Sequence, residues 1–231
     1  MRPMLLIIDM LNDFLDDWST TDRASLVEGV RSLTEMFRAG RQPIVWVRQE
    51  FVPDLSDAFQ EMRRKNIRIT IKGTQGAKII PELMPGSEDH HVIKKRYSAF
   101  FRTDLDRLIA DQRIDTVVLA GINTHACVRV TAIDAYQRDL EVIIPKQAVG
   151  SYDRSHEDIS LRYMDGKIAS VVSLNELGRI LIDSRRYAQC IGPARRRGHG
   201  ASWRATTGCH CSHHAPAPGR APHPGRCRPG H

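Results

Sequence analysis

Three polar side chains stand at the ends of short apolar runs. Asp9 follows Met4-Leu-Leu-Ile-Ile8, Lys94 follows His91-Val-Ile93, and Cys127 comes soon after Val117-Val-Leu-Ala120. A carboxylate, an ammonium and a thiol together suit one kind of chemistry. The thiol attacks a carbonyl carbon, the carboxylate acts as base and then as acid, and the ammonium offsets negative charge. A cysteine acyl-enzyme forms and water then hydrolyses it. Cys127 also has a local argument. Gly121 breaks the apolar run, and from Thr124 the pattern turns helical, with Ala126, Val130 and Ile133 on one stripe. The first turn of a helix, with its unpaired N–H groups and positive dipole end, lowers a thiol's pKa and can hold an oxyanion. Taken singly, two of them have plainer readings: Cys127 as a small buried hydrophobe, Asp9 as a loop residue or helix cap.

The elements that must position these groups are legible in outline. Short, mainly apolar runs at 4–8, 43–48, 91–93, 117–120, 140–144 and 169–172 read as strands. Between them lie helical patterns: Leu26, Val30, Leu33 and Phe37, ending at Gly40; Leu105, Leu108 and Ile109; a helix near 158–164; and Leu177, Ile180 and Leu181. Asp22 or Ser25 is the expected cap of the first. Thr103 with Asp106, and Ser173 with Glu176, have capping-box spacing. Residues 57–64 read as a short helix within the irregular stretch 49–83. Apolar strands alternating with amphipathic helices predict an α/β fold, a mainly parallel sheet with helices on both faces. In such sheets ligands bind at the carboxyl ends of the strands, which is where Asp9, Lys94 and Cys127 fall.

Charge and cysteine usage divide the chain. The net charge is +7, but seven of the 34 Lys and Arg residues are arginines after position 190, where no acid occurs; the remaining 27 balance 27 Asp and Glu. The body is neutral, so no nucleic-acid partner is expected. After about residue 186 periodic apolar residues vanish and Arg, Pro, Gly and His dominate. The reading is a domain over 1–186 and a disordered tail over 187–231. The tail's Cys209-His-Cys-Ser-His-His214 matches no spacing of a folded zinc module. Only Cys127 lies in the body, which suits a reducing compartment. No signal peptide or spanning segment is visible, so the expectation is a cytoplasmic protein without membrane contact.

Three blocks carry a family resemblance: Leu-Ile-Ile-Asp9-Met-Leu-Asn-Asp-Phe14, Val-Ile-Lys94-Lys-Arg-Tyr-Ser-Ala-Phe100 and Gly121-Ile-Asn-Thr-His-Ala-Cys127-Val. In this order and spacing they resemble the signature blocks of the isochorismatase-like cysteine hydrolases, a superfamily that includes nicotinamidases and N-carbamoyl amidases. The resemblance covers about residues 3–182 and includes the Gly73-Thr-Gln-Gly76 loop. It implies a three-layer α/β/α fold with a six-stranded parallel sheet. It also implies Asp9 as general base and acid, Lys94 as charge stabiliser and Cys127 as nucleophile. Lys94 rather than Lys95 takes the family's lysine position, four residues before Ser98, and a one-residue slip would turn the side chain to the other face. A cis peptide is implied at Ile122–Asn123, with the N–H groups of Asn123 and Cys127 at the oxyanion.

One departure narrows the activity. Nicotinamidases carry an Asp-x-His and further histidines after the second strand to hold a metal. Here that stretch is Arg48-Gln-Glu-Phe-Val-Pro-Asp54, with no histidine from Trp46 to Asp89. The expectation is therefore a metal- and cofactor-independent amidohydrolase acting on a small amide or carbamoyl C–N bond. Phe14, Trp46, Tyr97 and Phe100 are the aromatic candidates for stacking on substrate, and His125 is a candidate pocket residue. Two alternatives stand beside it: vinyl-ether hydrolysis of isochorismate type, which does not need the thiol, and a non-catalytic binding or scaffold protein on the same fold. The resemblance also implies a homo-oligomer, dimer or tetramer.

Overall fold

The central apolar runs, at 3–8, 44–49 and 116–122, are buried on both faces of one sheet, and the runs at its edges are partly exposed. A computed structural model describes residues 1–191. Its strands are β1 (Pro3–Ile8), β2 (Ile44–Gln49), β3 (His90–Lys94), β4 (Thr116–Ile122), β5 (Glu141–Pro145), β6 (Val149–Gly150) and β7 (Ser170–Val172). All pairs are parallel, in the order β3-β2-β1-β4-β5-β7. This path is the expected six-stranded sheet. The seventh strand, β6, is too short to leave a hydrophobic pattern. β5 pairs with β4 only as far as Val118, and β6 then takes up the edge at Gly121 and Ile122.

The helices are α1 (Asn12–Leu15), α2 (Thr20–Ala39), α3 (Gln60–Lys65), α4 (Leu105–Asp111), α5 (Arg129–Tyr136), α6 (Arg154–Met164) and α7 (Leu174–Ile191). Strand alternation divides the core between two faces. Met4, Leu6 and Ile8 of β1 pack with α4, α5 and α6 through Leu105, Ile109, Ala132, Ala135 and Met164. Leu5 and Ile7 pack with Leu26, Val30, Leu33 and Phe37 of α2 and with Leu177 and Leu181 of α7. Burying each large aliphatic side chain contributes about 1.5–3 kcal/mol, and these two clusters hold the three layers together. Among the described residues no helix is long and apolar enough to cross a membrane.

Helix caps differ in part from the expected ones. α2 is capped by Ser19, whose hydroxyl accepts the Asp22 N–H at 3.1 Å, so Asp22 is the third residue of the helix and not its cap. The Ser173–Glu176 box closes in both directions, at 3.2 and 2.7 Å. The Thr103–Asp106 box does not close. Thr103 accepts from Leu105 at 3.3 Å, while the Asp106 carboxylate turns to Arg138 at 2.6 Å. α7 runs five residues past the expected domain end at 186. The reading of the chain as a disordered tail lies, beyond Ile191, outside the described residues.

α2 reaches the sheet through a glycine. A Cβ on Gly29 would stand 2.0 Å from the Gln147 carbonyl oxygen, in the 3₁₀ turn Lys146–Ala148 that leads into β6. That neighbour is backbone and cannot rotate away. Gly29→Ala is therefore expected to lower stability by about 1–3 kcal/mol, as overpacked core positions do, despite alanine's better helix propensity. A urea denaturation midpoint unchanged or raised in Gly29→Ala would contradict this packing.

Candidate active site

The sheet's register decides which side chains meet at its carboxyl edge. Gln49 pairs with Lys94 across β2 and β3, and Ile8 pairs with Gly121 across β1 and β4. Asp9, one residue beyond β1, takes a left-handed conformation (φ 54°), a region that aspartate tolerates better than most residues. Gly121, at φ +101°, lets β4 approach β1 closely: a Cβ there would lie 2.0 Å from the Ile8 carbonyl oxygen. The Ile122–Asn123 peptide is cis. The chain then enters a single π-helical turn, Thr124–Val128, before α5 begins. Cys127 thus sits in a π turn, where the sequence pattern predicted the first turn of an α-helix. Such turns are rare and concentrate at functional sites.

Asp9, Lys94 and Cys127 are brought together. Lys94 Nζ lies 2.7 Å from Asp9 Oδ2 and donates to Cys127 Sγ at 3.3 Å. Its remaining partners are the Arg96 carbonyl at 3.2 Å and Gln49 Oε1 at 3.4 Å. The other oxygen of Asp9 accepts the Gln49 N–H at 2.7 Å. Lys94 is fully buried and Asp9 and Cys127 nearly so. Lys95, on the other face, leaves this centre and pairs with Asp57 at 2.8 Å.

Electrostatics in this centre run against one expectation. Burial and the neighbouring Asp9 carboxylate push the Cys127 thiol up to about 12, and Lys94 opposes them without winning. The lowering expected of a helix start does not materialise, because desolvation and a carboxylate at close range outweigh a partial dipole charge. For Lys94, burial disfavours the ammonium, but Asp9 and Cys127 more than compensate, and its pKa is raised. The resting site is a thiol beside an ammonium–carboxylate pair. Cys127 is accordingly expected to react with iodoacetamide slowly at pH 7, more slowly than free cysteine, with a rate that climbs as pH rises past 9 towards 12. Rapid alkylation with a plateau below pH 8 would contradict it.

Asp9 and Cys127 line a cavity of about 490 Å³, and Lys94 lies buried behind them. Phe14, Tyr97 and His125 line the cavity, as do Ile122 and Asn123. Trp46 and Phe100 do not. Trp46 is 2% exposed in the cluster under α2, its indole donating to Asp89 Oδ2 at 2.8 Å. It lies three residues before the carboxyl end of β2, below the rim. Phe100 is 2% exposed on the opposite core face, with the Arg138 guanidinium 4.3 Å from its ring centre.

Sequence reasoning missed Gln49, Phe59 and Tyr152, all of which line the cavity. Gln49 bridges Asp9 and Lys94, and its position as the last residue of β2 was the available signal. Phe59 belongs to a separate cluster over residues 51–71, with Phe51, Leu55, Ala58, Met62 and Ile71. This cluster forms one wall. Phe59 meets Tyr97 at 5.2 Å and carries the Arg96 guanidinium 4.9 Å from its ring centre. Lys95 and Arg96, the neighbours of Lys94, thereby tie the wall to the end of β3. Among the described residues no three His, Cys, Asp or Glu side chains form a cluster that could hold a metal ion.

A family model described as Isochorismatase domain matches residues 3–176. The phenazine biosynthesis protein PhzD1 of Pseudomonas aeruginosa is 32% identical over 178 residues, covering 76% of this chain and 84% of its own length. The crystal structure of N-carbamoylsarcosine amidase from Thermoplasma acidophilum superposes with a TM-score of 0.64 at 32% identity, covering 75% of this chain and 96% of that one. An isochorismatase family protein from Desulfovibrio vulgaris superposes with a TM-score of 0.73 at 27% identity, covering 78% and 98%. A signature spanning most of the chain, and a fold shared nearly end to end with these structures, lead to one assignment: the chain belongs to the isochorismatase family.

Proposed function

We propose that this family hydrolase cleaves a small amide or carbamoyl C–N bond through an acyl-enzyme on Cys127. The observation that carries the reading is one ammonium, fully buried, in contact with both a carboxylate and a thiol that line a cavity. Burying a charged pair costs more desolvation than a hydrophobic replacement would, so such a pair in a cleft points to chemistry more than to stability.

The roles follow from the contacts. As Cys127 Sγ attacks the substrate carbonyl, its proton passes to Asp9 and the carbonyl electrons move onto oxygen. The high pKa of the resting thiol makes this proton transfer part of the attack. The backbone N–H groups of Asn123 and Cys127 hold the oxyanion, and the Lys94 ammonium stabilises the thiolate as it develops. When the oxyanion collapses, the C–N bond breaks and Asp9 returns its proton to the departing nitrogen. Water then attacks the thioester with Asp9 as base, the C–S bond breaks, and the thiol recovers its proton from Asp9. Lys94 stays charged throughout. Phe14, Phe59 and Tyr97 supply apolar and aromatic surface for a small planar substrate.

The test is ammonia release by the full chain across a panel of small primary amides and ureido acids. Turnover of at least one compound, unaffected by chelator, is the expected result. Silence across the panel together with turnover of a vinyl ether would contradict amide chemistry.

A further inference from the structure

We propose that His125 reads the substrate as a neutral imidazole that donates its Nε2–H to an acceptor oxygen, carbonyl or carboxylate, away from the scissile bond. The proposal rests on the hydrolase reading of the same cavity and adds the chemistry that selects its substrate.

Its basis is the geometry around Ser151. The pairing of β6 with Gly121 and Ile122 brings Ser151, the next residue, against the π turn that holds His125 and Cys127. Ser151 is 4% exposed. Its backbone N–H donates to Glu157 Oε2 at 2.9 Å, and Glu157 is itself buried in the first turn of α6. The Ser151 hydroxyl oxygen accepts the backbone N–H of His125 at 3.4 Å and lies 2.9 Å from His125 Nδ1. A buried hydroxyl must place its one hydrogen on an acceptor. Nδ1 is the acceptor within reach, so Nδ1 carries no proton.

The ring's surroundings keep it neutral. It is half-buried, edge-on to Tyr152 at 5.1 Å and tilted against the His156 ring at 5.4 Å. Burial, then the neighbouring His156, lower its pKa, against a weaker opposite pull from Asp153. A neutral imidazole that accepts at Nδ1 has its proton on Nε2. Among the described residues Nε2 has no hydrogen-bond partner, and His125 lines the cavity two residues from Cys127. A fixed donor on a residue that lines a cavity favours ligands that present an acceptor, and it disfavours those that would leave it unpaired. Ser151 and Glu157 act through His125, as positioning residues.

Two measurements on the full chain test this. The ¹⁵N spectrum of histidine-labelled protein at neutral pH, with the His125 signals assigned from His125→Gln, is expected to show the Nε2–H tautomer, and Ser151→Ala a mixture of tautomers. An Nδ1–H tautomer or an imidazolium in the wild type overturns the proposal. The second compares a hydrolysed substrate with an analogue whose distal acceptor oxygen is replaced by a methylene. His125→Phe is expected to lose about 10- to 100-fold in kcat/KM on the first, chiefly through KM, and little on the second. His125→Gln, which keeps a donor, is expected to recover part of the loss. Equal losses on both compounds overturn the proposal. A chain that hydrolyses nothing contradicts the hydrolase reading instead, and the spectrum still decides the tautomer.

Discussion

Lys94→Met is expected to lower turnover by at least ~10²–10³-fold and to destabilise the fold by about 3–5 kcal/mol. The first effect is that of losing a preorganised positive charge in a water-poor site. The second follows from leaving the Asp9 carboxylate buried without the ammonium 2.7 Å away. A double variant separates the two. Adding Asp9→Asn removes the orphaned charge while keeping the shape of the side chain, so Asp9→Asn/Lys94→Met should regain most of the lost stability and none of the activity. Denaturation midpoints and steady-state rates for the two single variants and the double complete the cycle. Additive stability effects would mean that the pair is not coupled, and a Lys94→Met enzyme with near wild-type kcat would remove the lysine from the mechanism.

Cys127→Ala carries the largest expected effect on activity, a fall to background with the fold retained. The side chain is 5% exposed and packs in the cluster under α4, α5 and α6. Truncation removes one sulfur from that cluster, for a stability cost of about 1 kcal/mol, small beside the loss of the proposed nucleophile. The Asp9–Lys94 ion pair remains in this variant, so substrate binding should survive. Calorimetric binding of a substrate by Cys127→Ala without turnover is the expected signature. Hydrolysis at a substantial fraction of the wild-type rate would favour chemistry that does not pass through the thiol.

How much of this was legible in the sequence depended on how local each signal was. The strands announced themselves because β1 and β4 are buried along their whole length, and the stripes of α2 and α7 face the sheet as their spacing required. The three polar groups at strand ends were legible for the same reason. What the sequence could not supply was register between distant segments. Trp46 and Gln49 lie on one strand, yet only Gln49 reaches the rim. Phe100 and Tyr97 lie in one loop, yet one turns into the core and the other lines the cavity. Aromatic type alone does not distinguish these fates. The thiol's pKa failed similarly: the helix start was visible locally, while Asp9, more than a hundred residues earlier, dominates with burial. The contact of Ser151 with His125 was invisible because β6, which delivers it, has only two residues.

The central claim is a covalent bond from substrate to Cys127. The most direct test mixes the full chain with an amide it hydrolyses, quenches in acid within the first turnovers and measures intact mass, followed by peptide mapping. The expected result is a mass increase equal to the acyl group, located on the peptide that holds Cys127 and absent from Cys127→Ala. Turnover with no adduct at any quench time, together with undiminished activity in Cys127→Ala, would contradict the claim.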